Sequence, residues 1–499
     1  MNVLDWIAKW ADYTPYKVAL TSYASNEKYT YKDVHIYANR LIEKFHEAGY
    51  REGDRIAVIA EHNVAYIVLF AACQRMGLIL VPLNYRMASR ELDKLVKDCN
   101  PRILIFSETL RSQLNELTLE GIETVNMERV IEAYKEEVSI PERDYDIKED
   151  NPLFIFYTSG TTGLPKGVIY TNKMLFWNSL NTSMQLGITY RDSTINTLPP
   201  YHTSGWNVFI TPLLHKGGHI GMMEKFDAQK ALCLLELEKT TLFMALPTML
   251  LMMQKAEVFK RVNLKKLRYI ISGGEKVNAE LVSFWKKEKD IYIRPGYGLT
   301  EAGPSITSLH HDMALLKPNS IGKSNFYLDL KIVNENDEPL GVDEIGELCI
   351  KGDIVTPGYW NNSVVTKSKI VDGWLHTGDL ALKDEEGFLY LKGRIDDMYI
   401  SGGENIYPQE IELLLENYQG VTKASVFSVK CERWGACGIA FVESKDKAVT
   451  SEVLRAYLKE NIADFKQPKY IFVLDEIPLT SLSKVSRKKL NKYFNTLKL

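Results

Sequence analysis

The densest run of chemically active side chains lies between Thr158 and Gly167, TSGTTGLPKG, directly after the apolar stretch LFIFY. Thr158, Ser159, Thr161 and Thr162 carry hydroxyl donors, and Lys166 adds a mobile cation suited to phosphate. Gly160 and Gly163 let backbone amides turn toward a ligand at positive φ. Such a set can grip an anion that presents several oxygens. It is not a Walker A loop, because GxxxxGK[ST] is not matched. The same residues also suit a polar hairpin loop between two strands, so the loop alone leaves both readings open.

Four further segments bear on the choice. Tyr297–Glu301 reads YGLTE, Gly373–Asp379 reads GWLHTGD, Gly393–Pro408 reads GRIDDMYISGGENIYP and Pro478–Lys484 reads PLTSLSK. With the loop, their order and spacing resemble the adenylate-forming superfamily: acyl-CoA synthetases, peptide-synthetase adenylation domains and firefly-type luciferases. The resemblance runs from about Thr14 to the C-terminus.

That resemblance implies roles, position by position. Thr158, Ser159, Gly160, Thr161, Thr162, Gly163 and Lys166 would hold the β- and γ-phosphates of ATP, their donors stabilising pyrophosphate as it leaves. Thr300 would meet the α-phosphate, and Glu301 would be the Mg²⁺ carboxylate, a hard oxygen for a hard cation. Gly273, Gly274 and Glu275 would border the adenine, Tyr297 would stack on it, and Gly298 would belong to the nucleotide site. Asp379 would accept from both ribose hydroxyls, and Arg394 would reach the nucleotide. Asp396 falls at the family's hinge. Lys484 matches the adenylation lysine, although Ser483 stands where the family usually has Gly. Ser401, Gly402 and Gly403 would line the path of the coenzyme A arm, where a thin chain must pass close to backbone. The implied reaction is attack of a carboxylate on the α-phosphorus, release of pyrophosphate, then attack of a thiol on the acyl-adenylate with release of AMP. In the family the C-terminal domain rotates between the two steps.

The acid would lie against His202, Trp206, Gly298, Ala302, Gly303 and Ile306, which are mostly small or apolar. His202 is read as a lining residue and not as a base. No acidic residue falls in YHTSGW, Tyr201–Trp206, which disfavours an amino acid held by its ammonium. The expected substrate is a medium- or long-chain fatty acid. An aryl acid of the coumarate or succinylbenzoate type is the alternative, and loading of an acyl-carrier protein is a more distant one. From a different class, a nucleotide-binding scaffold with an impaired site is suggested by the altered PLTSLSK.

The elements that must position these residues alternate along the first two-thirds of the chain. Strand-like runs at 55–60, 78–82, 102–106, 153–157, 241–245 and 267–271 are parted by helical patterns at 64–76, 91–99 and 228–237. Such alternation predicts helix-covered, mostly parallel sheets. After about residue 320, short strands at 330–333, 346–351 and 388–391 are separated by NENDEPLG and KDEEGF turns, predicting a small distorted β-barrel at about 320–394. From 395 to 499 a compact α+β pattern follows. The expectation is α/β: a large N-terminal domain, 1–394, and a small mobile C-terminal domain, 395–499.

A length of 499 residues favours more than one domain. With 45% hydrophobic and 25% charged residues the chain is ordinary globular material, and its net charge of −3 offers no field for nucleic acid. Six cysteines without a CxxC pair argue against a disulfide framework or a zinc site. No signal peptide or membrane span is read, so the expected location is the cytoplasm. The expected partners are ATP, Mg²⁺, coenzyme A and a small carboxylic acid, with a homodimer allowed.

Overall fold

The computed structural model describes the chain except residues 1, 139, 141–143, 159–164, 275–276, 402–403, 432–434, 463, 481–484 and 498–499. The described chain forms two compact units, Met1–Leu330 with Ile350–His376, and Lys331–Cys349 with Thr377–Leu499.

The first unit is built on two large sheets. One has six strands in the order Glu123–Asn126, Ile103–Phe106, Arg55–Ile59, Ile79–Pro82, Pro152–Thr158, Lys166–Thr171. Its first five strands run parallel and the last is antiparallel. The other has nine strands, with a parallel centre from Ile293–Tyr297 through Tyr269–Ser272, Leu242–Met244, Ser193–Asn196 and His219–Met222 to Val18–Ser22. The alternating pattern is therefore borne out, and the central strands are buried on both faces, as parallel strands covered by helices must be.

Helix Val64–Met76 lies where the helical apolar pattern predicts it. Val64 through Arg75 are all buried, so the helix is apolar nearly all round. It begins with Asn63 accepting from the Ala65 N–H and ends at Gly77 in the left-handed region, φ 66°. Its one buried charge, Arg75, donates to both carboxylate oxygens of Asp5 at 2.8 and 3.1 Å and to Asn39 at 2.7 Å. Asp5 also caps helix Trp6–Tyr13 by accepting from the Ala8 N–H.

In the second unit, strand Leu389–Arg394 pairs with the end of Trp374–Lys383, and these belong to the short-stranded sheet expected after residue 320. The expected hinge residue Asp396 lies inside this unit, exposed in a 3₁₀ turn, Ile395–Asp397. Beyond it a three-stranded sheet, Lys423–Cys431, Gly435–Glu443 and Tyr470–Leu474, packs with helices Pro408–Glu416 and Ser451–Asn461 around Val426, Val442, Leu415 and Leu454.

Candidate active site

The strands on either side of the Thr158–Gly167 run form a hairpin. Pro152–Thr158 and Lys166–Thr171 are antiparallel, with Thr158 opposite Lys166. The strands of the hairpin reading are present, and they bring Thr158 and Lys166 together at the mouth of the loop. Ser159, Gly160, Thr161, Thr162 and Gly163 lie outside the described residues.

A second turn carries Thr300 and Glu301. Strand Ile293–Tyr297 ends at buried Tyr297, and the chain reverses through a 3₁₀ turn, Thr300–Ala302. The turn is closed by the Leu299 N–H donating to the Gly303 carbonyl at 3.1 Å, and the Ile306 N–H returns to the Tyr297 carbonyl at 3.0 Å. Gly298 is needed here for space: a Cβ on it would lie 2.2 Å from the backbone carbonyl carbon of Pro304. Gly303 holds φ +75°, a conformation that favours glycine. Gly273 and exposed Gly274 follow strand Tyr269–Ser272, and a Cβ on Gly273 would lie 2.8 Å from the Gly296 carbonyl oxygen. Glu275 lies outside the described residues.

A third segment, 356–361, ties the hairpin to this turn, and sequence reasoning missed it. The Trp360 N–H donates to the Gly167 carbonyl at 2.7 Å, and the Ile169 N–H donates to the Gly358 carbonyl at 3.1 Å. The Thr356 N–H donates to the Glu301 carbonyl at 2.7 Å. The Tyr359 hydroxyl donates to Glu301 Oε1 at 3.0 Å, and Lys166 Nζ stands 6.0 Å from the Tyr359 ring centroid. Trp360 and Asn361 anchor the far end on the Asp98 carbonyl, at 3.2 and 3.0 Å. The available signal was TPGYW, a Pro-Gly turn followed by two aromatics. The result is an ammonium and a carboxylate flanking one phenol. Chemically this suits an anion at Lys166 and a hard cation at Glu301.

The residues expected around the acid divide by burial. Trp206 is 0% exposed, donates its indole N–H to the Pro200 carbonyl at 2.8 Å, and packs against His62, Phe70 and Phe154 at centroid distances of 4.9, 5.8 and 5.0 Å. Burial pushes His62 down to about 3, so it sits in this cluster as a neutral ring. His202 is half-buried beside Tyr201, with ring centroids 4.8 Å apart. Ala302 and Ile306 are fully buried, and Gly303 is buried beside Tyr170 and Asn178. These residues come from the two turns that follow Ser193–Asn196 and Ile293–Tyr297, which sit in the same parallel sheet.

In the second unit Asp379 and Arg394 are cross-strand partners. Arg394 Nε lies 3.5 Å from Asp379 Oδ1, and Arg394 also donates to the Thr377 carbonyl at 3.2 Å. Ser401 ends one strand of a hairpin, opposite Glu404, while Gly402 and Gly403 lie outside the described residues. Lys484 lies outside them as well. On either side of it, Leu479 bridges Val485, and the Ser486 N–H donates to the Pro478 carbonyl at 2.7 Å.

Residues 7–360 match the family described as AMP-binding enzyme, and residues 410–484 match the AMP-binding enzyme C-terminal domain. A feruloyl-CoA synthase from Amycolatopsis is 30% identical, with 98% of each chain covered. A long-chain-fatty-acid–CoA ligase from Mycobacterium tuberculosis is 29% identical, with 99% of each covered. Among solved structures, the o-succinylbenzoate coenzyme A synthetase of Bacillus subtilis in complex with ATP and magnesium superposes with a TM-score of 0.88. It is 27% identical and covers 98% of this chain and 99% of its own.

Proposed function

Because this chain belongs to the AMP-binding enzyme family, the adenylate-forming enzymes, we propose that it activates an apolar carboxylic acid and transfers the acyl group to coenzyme A. It is an AMP-forming acyl-CoA ligase, and its co-substrates are ATP and coenzyme A, with Mg²⁺. The observation that supports an apolar acid is the character of the residues assigned to it: Trp206, packed against His62, kept neutral, and against Phe70 and Phe154, with Ala302 and Ile306, all buried and none charged. A carboxylate carrying a second charge would lack a partner among them. A fatty acid is the first reading.

An aryl acid is the second, and a specific observation favours it. The Tyr170 hydroxyl and Asn178 Oδ1 are buried without a hydrogen-bond partner among the described residues. They lie 3.3 and 2.7 Å from where a Cβ on Gly303 would stand. Unpaired buried polar atoms at one place suit a ring that bears a hydroxyl or methoxy group.

The residue roles follow the same proposal. Thr158, Lys166 and Thr300 bind and orient the triphosphate, and in-line attack by the acid carboxylate on the α-phosphorus expels pyrophosphate. Glu301 holds the cation, a role that fits a carboxylate with one oxygen already fixed by Tyr359. Mg²⁺, when bound, supplies positive charge against the phosphate oxygens. Tyr297, Gly273, Gly274, Glu275 and Gly298 border the adenine. Asp379, steadied by Arg394, accepts from the ribose hydroxyls. Lys484 neutralises the carboxylate and α-phosphate, Ser401, Gly402 and Gly403 pass the thiol arm, and the chain turns at Asp396. The thiol then displaces AMP from the acyl-adenylate and forms the thioester.

The deciding experiment is pyrophosphate release over a panel of acids, with and without coenzyme A, using hydroxylamine to trap adenylates. Saturated fatty acids, cinnamic acid and hydroxycinnamic acids form the panel, with amino acids as controls. Turnover on apolar acids with coenzyme A supports the proposal. Adenylation that yields no acyl-CoA would point to a carrier-protein acceptor, and no pyrophosphate release from any acid would favour the nucleotide-binding scaffold.

A further inference from the structure

We infer that Tyr359 is a positioning residue for the metal carboxylate, and that its hydroxyl sets which oxygen of Glu301 meets the cation. This rests on the proposed reading of Glu301 as the Mg²⁺ ligand. The Tyr359 hydroxyl donates to Oε1 at 3.0 Å, which leaves Oε2 for a cation. Mg²⁺ demands near-ideal octahedral geometry and is usually held through single carboxylate oxygens, so a carboxylate fixed in rotation is worth more to it than a free one.

The phenol is itself fixed. Tyr359 is 8% exposed, its N–H donates to the Thr366 hydroxyl at 3.0 Å, and it forms a bridge with Val168. Three residues earlier, the Thr356 N–H holds the Glu301 main-chain carbonyl at 2.7 Å, and the Thr356 hydroxyl lies 2.6 Å from the Ile169 carbonyl. Residues 356–360 therefore hold Glu301 by its backbone and by its side chain, while also pairing with the strand that begins at Lys166. One strap fixes the cation ligand relative to the phosphate-binding lysine. A purely structural tyrosine would need only its ring in this place. The hydroxyl's donation to a carboxylate is the feature that packing does not require.

The test is Tyr359→Phe, which removes only that hydroxyl, alone and combined with Glu301→Gln. Mn²⁺ binding is read by electron paramagnetic resonance in the presence of α,β-methylene-ATP, whose bond to the α-phosphorus cannot be cleaved. No acid is needed, so the readout is independent of substrate identity. Y359F should weaken Mn²⁺ about tenfold, the scale of a hydrogen bond to a charged group. Nucleotide affinity without metal should change less than about twofold, on the same energetic footing. The double variant should bind Mn²⁺ no worse than E301Q alone, since the inferred effect of the hydroxyl runs through that carboxylate. In steady state the Mg²⁺ concentration for half-maximal pyrophosphate release should rise in parallel. Additive losses in the double variant, unchanged Mn²⁺ affinity in Y359F, or loss of its cooperative thermal transition would each overturn the inference. Unchanged Mn²⁺ affinity in E301Q would instead remove the reading of Glu301 on which it stands.

Discussion

Lys166 and Lys484 are the two cations assigned to opposite ends of the same phosphate chain, and their tests differ accordingly. Lys166 is assigned to the leaving pyrophosphate, so Lys166→Met should raise the KM for ATP and slow adenylation. Lys484 is assigned to the α-phosphate and the acid carboxylate. Lys484→Ala should cut pyrophosphate exchange by about 100-fold or more, the scale of one lost transition-state donor. Thioester formation from supplied acyl-adenylate should stay within a few-fold, because the phosphoryl step is then bypassed. Equal loss of both half-reactions would show that Lys484 holds the fold or the adenylate, not the adenylation transition state. Glu301 could be named from YGLTE, but its hydrogen bond from Tyr359 could not, because 58 positions separate the two in the chain.

Turns and helix ends decide how well these groups are held. The YGLTE turn depends on backbone closeness at Gly298, where a Cβ would stand 2.2 to 2.4 Å from three backbone atoms of Pro304. Gly298→Ala must move the strand end or the return segment. We expect it to abolish adenylation and lower the melting temperature, whereas a pocket-filling change at Ala302 should act on acid choice. A G298A enzyme with normal stability and a changed acid preference would make Gly298 a lining residue only. The Asp5–Arg75 pair is a similar fixed point between helices Trp6–Tyr13 and Val64–Met76, with both side chains nearly inaccessible. Asp5→Ala strands a buried guanidinium and removes a helix cap, at a cost of about 3–5 kcal/mol. Urea unfolding should show that loss in the first unit. A change below about 1 kcal/mol would mean that His35 and Asn39 suffice as partners for Arg75.

At the scale of the whole molecule, the two units should respond to pH in opposite directions. In the first unit His35, His215 and His219 are pushed down to about 4 and His62 to about 3, in each case chiefly by burial. Their folded values lie below the ordinary 6.5, so the unfolded chain takes up protons first. The stability they contribute is present above 6.5 and is lost as pH falls toward 4, by about 1.4 kcal/mol per pH unit for each histidine. In the second unit Glu412 is raised to about 7 by burial, against the Val426 N–H that donates to it at 2.7 Å. Its contribution is present below the ordinary 4.5 and is lost as pH rises through 7. Calorimetry from pH 4.5 to 8 should show the large unit losing stability on the acid side and the small unit on the alkaline side. His62→Asn should flatten part of the acid limb, and an unchanged limb would contradict the assignment.

The sequence by itself determined the kind of protein and much of its framework. Buried parallel strands must be apolar throughout and helices between them periodic, so runs such as RIAVIA and LFIFY could be placed before any contact was known. Contiguous motifs carried the candidate chemistry because a loop that grips phosphate, or a turn that offers Thr300 and Glu301, is local in the chain. What only the tertiary structure decided is non-local. It made the strand after the loop antiparallel, which brought Lys166 back opposite Thr158. It buried Trp206 in an aromatic cluster built from three separate segments. It laid residues 356–361 across both the hairpin and the Glu301 turn. Composition and periodicity report which face of an element is buried, but not which distant segment covers it. That choice is made when the sheets close and hydrogen-bonding groups find partners far away in the chain.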